Sequence, residues 1–238
     1  MNLDRSAGPI LSIITVCYNA DTDLARTIKS VSNLISNDIE YIIIDGKSND
    51  STSLIINENI KSINYWVSEP DNGIFDAMNK GIKASNGKWL IFLNAGDEAR
   101  FGKDILDLLN DNYNFALIYG DTERNDGSVR KPHSLDLVQC GGLPMCHQST
   151  FYNRDIIKDE MMYLTTHKLF MEVELFMRLY VKNFAMKYVQ KTFSFFQGGG
   201  ISEKIIWNTR KARYYYLYKH FGLKGILRGM SYKIKNSI

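Results

Sequence analysis

Alternation of apolar runs with amphipathic segments in the first hundred residues predicts an α/β fold built on a mostly parallel central sheet. Ile10–Val16 is β-branched and apolar almost throughout, the pattern of a strand covered on both faces; Ile39–Ile44 reads as a second buried strand and Ile63–Val67 as a third. Between the first two, Leu24, Ile28, Val31 and Ile35 keep helical spacing. Ser48-Asn49-Asp50-Ser51 offers caps for a second helix holding Leu54, Ile55 and Ile56. Short connections place helices on both faces of the sheet. Ligands of such sheets gather at the carboxyl ends of the strands. Here those ends carry Tyr18-Asn19, Asp45, Glu69 to Asp71, and Asn94 to Asp97.

A length of 238 residues suits one large domain or a domain with an appendage. With 45% hydrophobic and 23% charged residues, the chain has the composition of a folded protein. The net charge of +3 is unevenly spread: residues 201–238 hold nine Lys/Arg and one Glu, or +8, leaving −5 for the first 200. No run of ~18 apolar residues predicts a spanning helix, and MNLDRSAGP has no apolar signal core. A reduced, cytoplasmic chain is expected. Cys17 reads as a small apolar residue at a strand end. Cys140, Cys146, His133 and His147 lack the paired C-x-x-C spacing of a zinc site. Neither G-x-G-x-x-G after the first strand nor G-x-x-x-x-G-K-[ST] occurs. Gly198-Gly199-Gly200 has no acid about 20 residues on, so it is discounted as a phosphate cradle.

TVCYNA after strand one, IIIDGKSNDST after strand two, DNGIFDAMNKGI, and WLIFLNAGDE stand in order. Together they resemble the family 2 glycosyltransferases with the GT-A fold, in their bacterial polysaccharide-assembly branch. The likeness is firm over Leu11–Glu98 and looser to Ser202. It implies a donor-nucleotide half over residues 8–98, an acceptor half over 99–202, and a separate tail over 203–238. It also implies that Asp45 contacts the base or ribose of a UDP- or GDP-sugar, with Thr15 and Tyr18 on the first-strand lip. Asp71, standing where relatives often have Asn, Asn79, matching an Asn that supports the nucleotide pocket, and Asn94 are further donor-nucleotide-binding candidates. Asp97 matches the last acid of the D-x-D-type motif, the ligand of Mg2+ or Mn2+. Two positions depart from the pattern: Asn94-Ala95-Gly96-Asp97 retains one carboxylate, and Met78 replaces a frequent Arg. One carboxylate suffices in principle, because a hard divalent cation leans on substrate phosphates and water. Read without the resemblance, Asp97 could cap the helix that begins near Lys103, Asp45 could be a turn residue, and Asp76 complements a helix dipole.

In the second half, Asp104, Leu106, Leu108 and Leu109 continue as a helix and Phe115–Tyr119 as a strand ending at Gly120-Asp121. Asn125-Asp126-Gly127 signals a hairpin to Val129. Alternation ends here, so mixed or antiparallel strands are expected. His147-Gln148-Ser149-Thr150-Phe151 resembles the H-Q-x-x-F stretch beside the donor; His147 reads equally as a core histidine. Lys168–Tyr180 keeps helical spacing through Leu169, Val173, Phe176 and Leu179. Matching it to the acidic pair of relatives puts Glu172 on the general base and Glu174 on its neighbour; a positioned carboxylate can take the acceptor's proton. Asp121, His147 and Glu174 are further candidates for the acceptor or donor side. The glycines after Phe193–Gln197 suit a closing loop.

In the tail, Leu223, Ile226, Leu227, Met230 and Ile234 form an apolar stripe beside Lys224, Arg228, Lys233 and Lys235. That pattern describes a helix on an anionic membrane surface, or one packed on the catalytic domain or a second subunit. A peripheral position on the cytoplasmic face of the inner membrane is the matching location. Nucleic acid is not expected as a partner. The resemblance implies an inverting transferase acting on a glycan or lipid-linked acceptor. The rivals are a catalytically degenerate relative, supported by the thinned N-A-G-D motif, and a sugar-phosphate nucleotidylyltransferase. The latter wants a Gly- and Arg-rich loop where this chain reads TVCYNADTD.

Overall fold

The structure, a computed structural model, describes residues 8–167, 170–198 and 209–235. The strands are β1 (Leu11–Cys17), β2 (Ile39–Asp45), β3 (Tyr65–Ser68), β4 (Trp89–Phe92), β5 (Glu98–Ala99), β6 (Leu117–Arg124), β7 (Val129–Arg130), β8 (Thr150–Asn153) and β9 (Met186–Phe196). Among the described residues they form one sheet in the order β3-β2-β1-β4-β8-β6-β9-β5, with β7 paired to β6. Strands β3, β2, β1 and β4 are mutually parallel, while β8 runs antiparallel to both β4 and β6. The expected switch to mixed pairing thus falls after β4. The hairpin at Asn125–Gly127 joins β6 to β7, with Glu123 opposite Val129.

Alternate residues of the parallel strands feed two cores. Ile13, Tyr41, Ile43 and Ile91 pack with Leu24, Ile28 and Val31 of α1 (Asp21–Val31) and Ile56 of α2 (Thr52–Glu58). Ile14, Ile42, Ile44 and Phe92 pack with Phe75, Met78 and Ile82 of α3 (Ile74–Ala84). The apolar runs are therefore explained by helices on both faces. β3 departs from that expectation: Ile60–Ser62 forms a 3-10 turn, the strand begins at Tyr65, and Tyr65 and Ser68 are exposed because β3 is the sheet edge.

Two short helices, α4 (Ile105–Asp111) and α5 (Arg154–Ile157), precede α6 (Met171–Val181) and α7 (Thr209–Lys235). α6 begins later than its sequence spacing suggests, since Phe170 adopts φ 81° at its N-cap. α7 packs through Ala212, Tyr216 and Leu217, which join the α3–α6 core. Its His220 Nε2 lies 3.1 Å from Glu174 Oε1, and Arg178 Nη2 lies 3.0 Å from Glu174 Oε2. Burial raises the Glu174 pKa, but His220 and Arg178 outweigh it and hold the carboxyl below the ordinary glutamate value. Glu174, a candidate for the acceptor or donor side, is fully buried between these two partners and ties α7 to α6. The predicted apolar stripe does not pack on the domain through Leu223, Leu227 or Met230, which are exposed; the side chain of Ile234 lies outside the described residues.

Removing one partner of a buried charge pair strands the other. Arg178→Met is expected to destabilise the fold by about 3 kcal/mol in urea unfolding. Adding Glu174→Leu should recover part of that loss, the rest reflecting the Glu160 and Met162 carbonyls that Arg178 also serves; no recovery is expected if Arg178 acts through packing alone.

Candidate active site at the carboxyl ends of the strands

The register sets Cys17 opposite Asp45 and Asp45 opposite Ser68, so the first three strands end level. Two groups of side chains follow from that edge. The first surrounds Gly46. Tyr18, just past β1, is 62% exposed. Asp71 Oδ1 accepts from the Gly73 amide at 2.8 Å. A Cβ on Gly46 would stand 2.5 Å from Asp71 Oδ2 and 3.3 Å from Tyr18 Cδ2. Only a residue without a side chain lets the two approach. Asp45 lies beneath, fully buried, accepting from the Ser48 amide at 3.1 Å and from the Ser48 and Ser68 hydroxyls. Asp45 thus ties together the ends of β2 and β3. Burial, then the adjacent Asp45 carboxylate, push the Cys17 thiol far up and leave it inert.

The second group follows β4. Thr27 of α1 clamps the Asn94–Asp97 loop: its hydroxyl donates to the Asp97 carbonyl at 2.7 Å and accepts from the Gly96 amide at 2.9 Å. Gly96 sits at φ 99°, a conformation that suits glycine. Asp97 is 4% exposed, and it does not cap α4, whose N-cap is Asp104. Desolvation pushes its carboxyl up to about 7, against the opposing pull of His147 and of the Gln148 side-chain hydrogen bond. His147 Nδ1 lies 2.6 Å from Glu172 Oε1, and its Nε2 lies 3.3 Å from Asn94 Nδ2. Burial works against a charged imidazole, but Glu172 and then Asp97 outweigh it and raise the His147 pKa. With a neutral ring, Nε2 accepts from Asn94 and leaves Asn94 Oδ1 without a partner. With a charged ring, the Asn94 amide turns over and Oδ1 accepts from Nε2–H. Either way one hydrogen-bonded chain links the β4 loop to the first turn of α6.

Asn94, Asp97, His147 and Glu172 are therefore brought together, and Tyr18 and Asp71 form the neighbouring lip. Other candidates are placed elsewhere. Thr15 is fully buried, donating to the Leu93 carbonyl at 2.6 Å and accepting from Tyr41. Asn79 clasps the backbone of Tyr163, donating at 2.8 Å and accepting at 2.9 Å. Asp121 accepts from the Tyr188 hydroxyl across β6 and β9 at 2.8 Å. Asp76 accepts from the Asn72 amide ahead of α3 at 2.9 Å. Of the closing-loop glycines, Gly199 and Gly200 lie outside the described residues. Sequence reasoning missed Thr27 and Gln148. Thr27 was readable as the polar residue inside the Leu24–Ile28–Val31 stripe, and Gln148 as the second letter of H-Q-x-x-F.

Among the described residues no three His, Cys, Asp or Glu side chains cluster as a self-sufficient metal site. The donor set fits a different arrangement. Asp97 is a buried carboxylate, and among the described residues the largest influences on it include no Lys or Arg. A Mg2+ or Mn2+ that arrives on a diphosphate needs only one or two such oxygens.

The raised Asp97 pKa has a sign for stability. The folded state holds this proton more tightly than the unfolded chain, so stability is fully present below about pH 4 and drains away as pH rises through about 7. The gap between 3.8 and about 7 corresponds to roughly 4 kcal/mol as an upper bound. Asp97→Asn is expected to melt higher than the parent above pH 7, with the gain shrinking toward pH 4. Parallel difference curves would show that the carboxylate is not desolvated.

The Glycosyl transferase family 2 model matches residues 12–180. An uncharacterized glycosyltransferase of Mycobacterium tuberculosis is 32% identical over 165 residues, 64% of this chain and 62% of that one. A PGL/p-HBAD biosynthesis glycosyltransferase of Mycobacterium bovis is 30% identical over 157 residues, 63% and 61% of the two chains. The chain thus spans less than two thirds of these relatives' length. In the solved structures, S. aureus TarS 1-349 in complex with UDP-GlcNAc superposes with a TM-score of 0.69 at 13% identity, covering 92% of this chain and 70% of that one. That likeness shows a shared GT-A fold. By the family match, with the fold in agreement, the chain belongs to glycosyl transferase family 2.

Proposed function

We propose that this protein is an inverting glycosyltransferase that moves a sugar from a UDP- or GDP-sugar to a hydroxyl of a glycan or lipid-linked acceptor in bacterial surface polysaccharide assembly. The observation that carries the reading is the Asn94–His147–Glu172 chain, which sets an acidic loop beside a partly exposed carboxylate on α6. Tyr18 offers an exposed ring on which a base can stack, with the Asp71 carboxylate across Gly46 for a ribose or base N–H. Asp97 would hold a Mg2+ or Mn2+, which when bound neutralises the departing diphosphate. Glu172 has the reach for the proton of the attacking hydroxyl. His147 engages Oε1, which fixes the carboxylate rotamer and leaves Oε2 for the acceptor. Attack from the face opposite the diphosphate inverts the anomeric centre.

Glu172→Gln keeps the shape and the His147 contact but cannot take a proton. Transfer should fall by about 10²–10⁴-fold, with binding of the nucleoside diphosphate within about twofold of the parent. Gly46→Ala should do the reverse, weakening nucleotide binding by roughly tenfold as Asp71 is pushed aside, with an unchanged melting temperature. The direct test is a panel of sugar nucleotides assayed for release of nucleoside diphosphate. A donor turned over by the parent and not by Glu172→Gln supports the reading. Metal-dependent nucleotide binding with no turnover of any donor would favour the degenerate relative.

A further inference from the structure

The last helix turns its apolar residues the wrong way for a helix that packs on its own protein. Gly222, at φ 61° and ψ −153°, breaks α7 into two parts. In the second part Gly225 and Gly229 face inward. A Cβ on Gly225 would stand 2.6 Å from the Leu217 carbonyl oxygen, and one on Gly229 would stand 2.6 Å from Leu217 Cδ1. Small residues are thus spent on the protein side, where the helix lies close against the first part. Leu223, Leu227 and Met230, on the opposite face by their spacing, are 71%, 65% and 48% exposed. Lys224 and Arg228, both exposed, flank them. Thr209–Lys235 contains eight Lys/Arg and no Asp or Glu, so the rest of the chain sums to −5 against a total of +3.

We infer that the outer face of α7 docks on an anionic lipid bilayer surface. Apolar side chains with cations beside them match the acyl–headgroup boundary of such a membrane. Among the described residues no helix is long and apolar enough to cross a membrane, so the helix lies in the interface plane. A second copy of the chain is a poorer occupant, because a symmetric contact would set this strongly basic segment against itself. A nucleic acid would answer the charge and leave Leu223 and Leu227 in water. The inner face of the first part is tied to α6 through His220 and Glu174, so docking orients the helix that carries Glu172 relative to the lipid. The inference rests on the helix alone and stands apart from the reading of the reaction.

The test is co-sedimentation of the full chain with vesicles of phosphatidylcholine alone, or of phosphatidylcholine mixed with phosphatidylglycerol. Binding is expected only to the anionic vesicles, and it should weaken sharply at about 1 M salt, where the screening length falls to roughly 3 Å. The triple variant Leu223→Ser/Leu227→Ser/Met230→Ser should partition at least about tenfold less, and Lys224→Glu/Arg228→Glu likewise. Both replace exposed residues and should keep the parent's circular dichroism. Parent protein that ignores anionic vesicles, or a triple variant that partitions like the parent, overturns the inference. So does a dimer, seen by sedimentation without lipid, that the triple variant abolishes.

Discussion

A carboxylate held out of water at the end of β4 sets the terms for the residues around it. Asp97 has given up solvation, and among the described residues no Lys or Arg is a leading influence on it, so the loop must be held from outside. Thr27 does this from α1 through two hydrogen bonds to the loop backbone, and Gln148 supplies one to the side chain. His147 then passes the influence of that buried charge to Glu172 on α6. Each of these contacts stabilises a geometry whose centre costs stability, as strained or desolvated groups at functional sites commonly do.

Distance in the chain explains how these parts meet. The level ends of β1, β2 and β3 come from parallel pairing in register, which the short helical crossovers permit. The switch to antiparallel pairing at β8 brings His147 and Gln148 to the edge where β4 ends. The Glu174 ion pairs fix α6 from behind, so Glu172 two residues earlier faces the loop. The tail helix therefore takes part in shaping the catalytic half even though its charge and composition set it apart.

The parallel half was legible because both faces of β1, β2 and β4 are buried, which writes continuous apolar runs into the sequence. β3 was less so, since an edge strand carries only half that signal. Asp97, His147 and Glu172 could be named from motifs, but their connection could not, because hydrogen bonds across 25 and 53 positions leave no local pattern. The partners of Thr15, Asn79 and Glu174 were equally hidden. Each of these three residues is polar and near a motif, and each is held by partners that tertiary packing alone supplies. The tail stripe was read correctly as apolar. Which way it faces depended on Gly225 and Gly229, whose lack of side chains decides the side that lies against the protein.

The central claim is that Asp97 makes nucleotide binding depend on a divalent cation. Calorimetric titration of UDP and GDP with and without Mn2+, for the parent and Asp97→Asn, tests it most directly. The account predicts that Mn2+ tightens binding at least about tenfold in the parent and not in Asp97→Asn. Equal metal enhancement in the two proteins would contradict it.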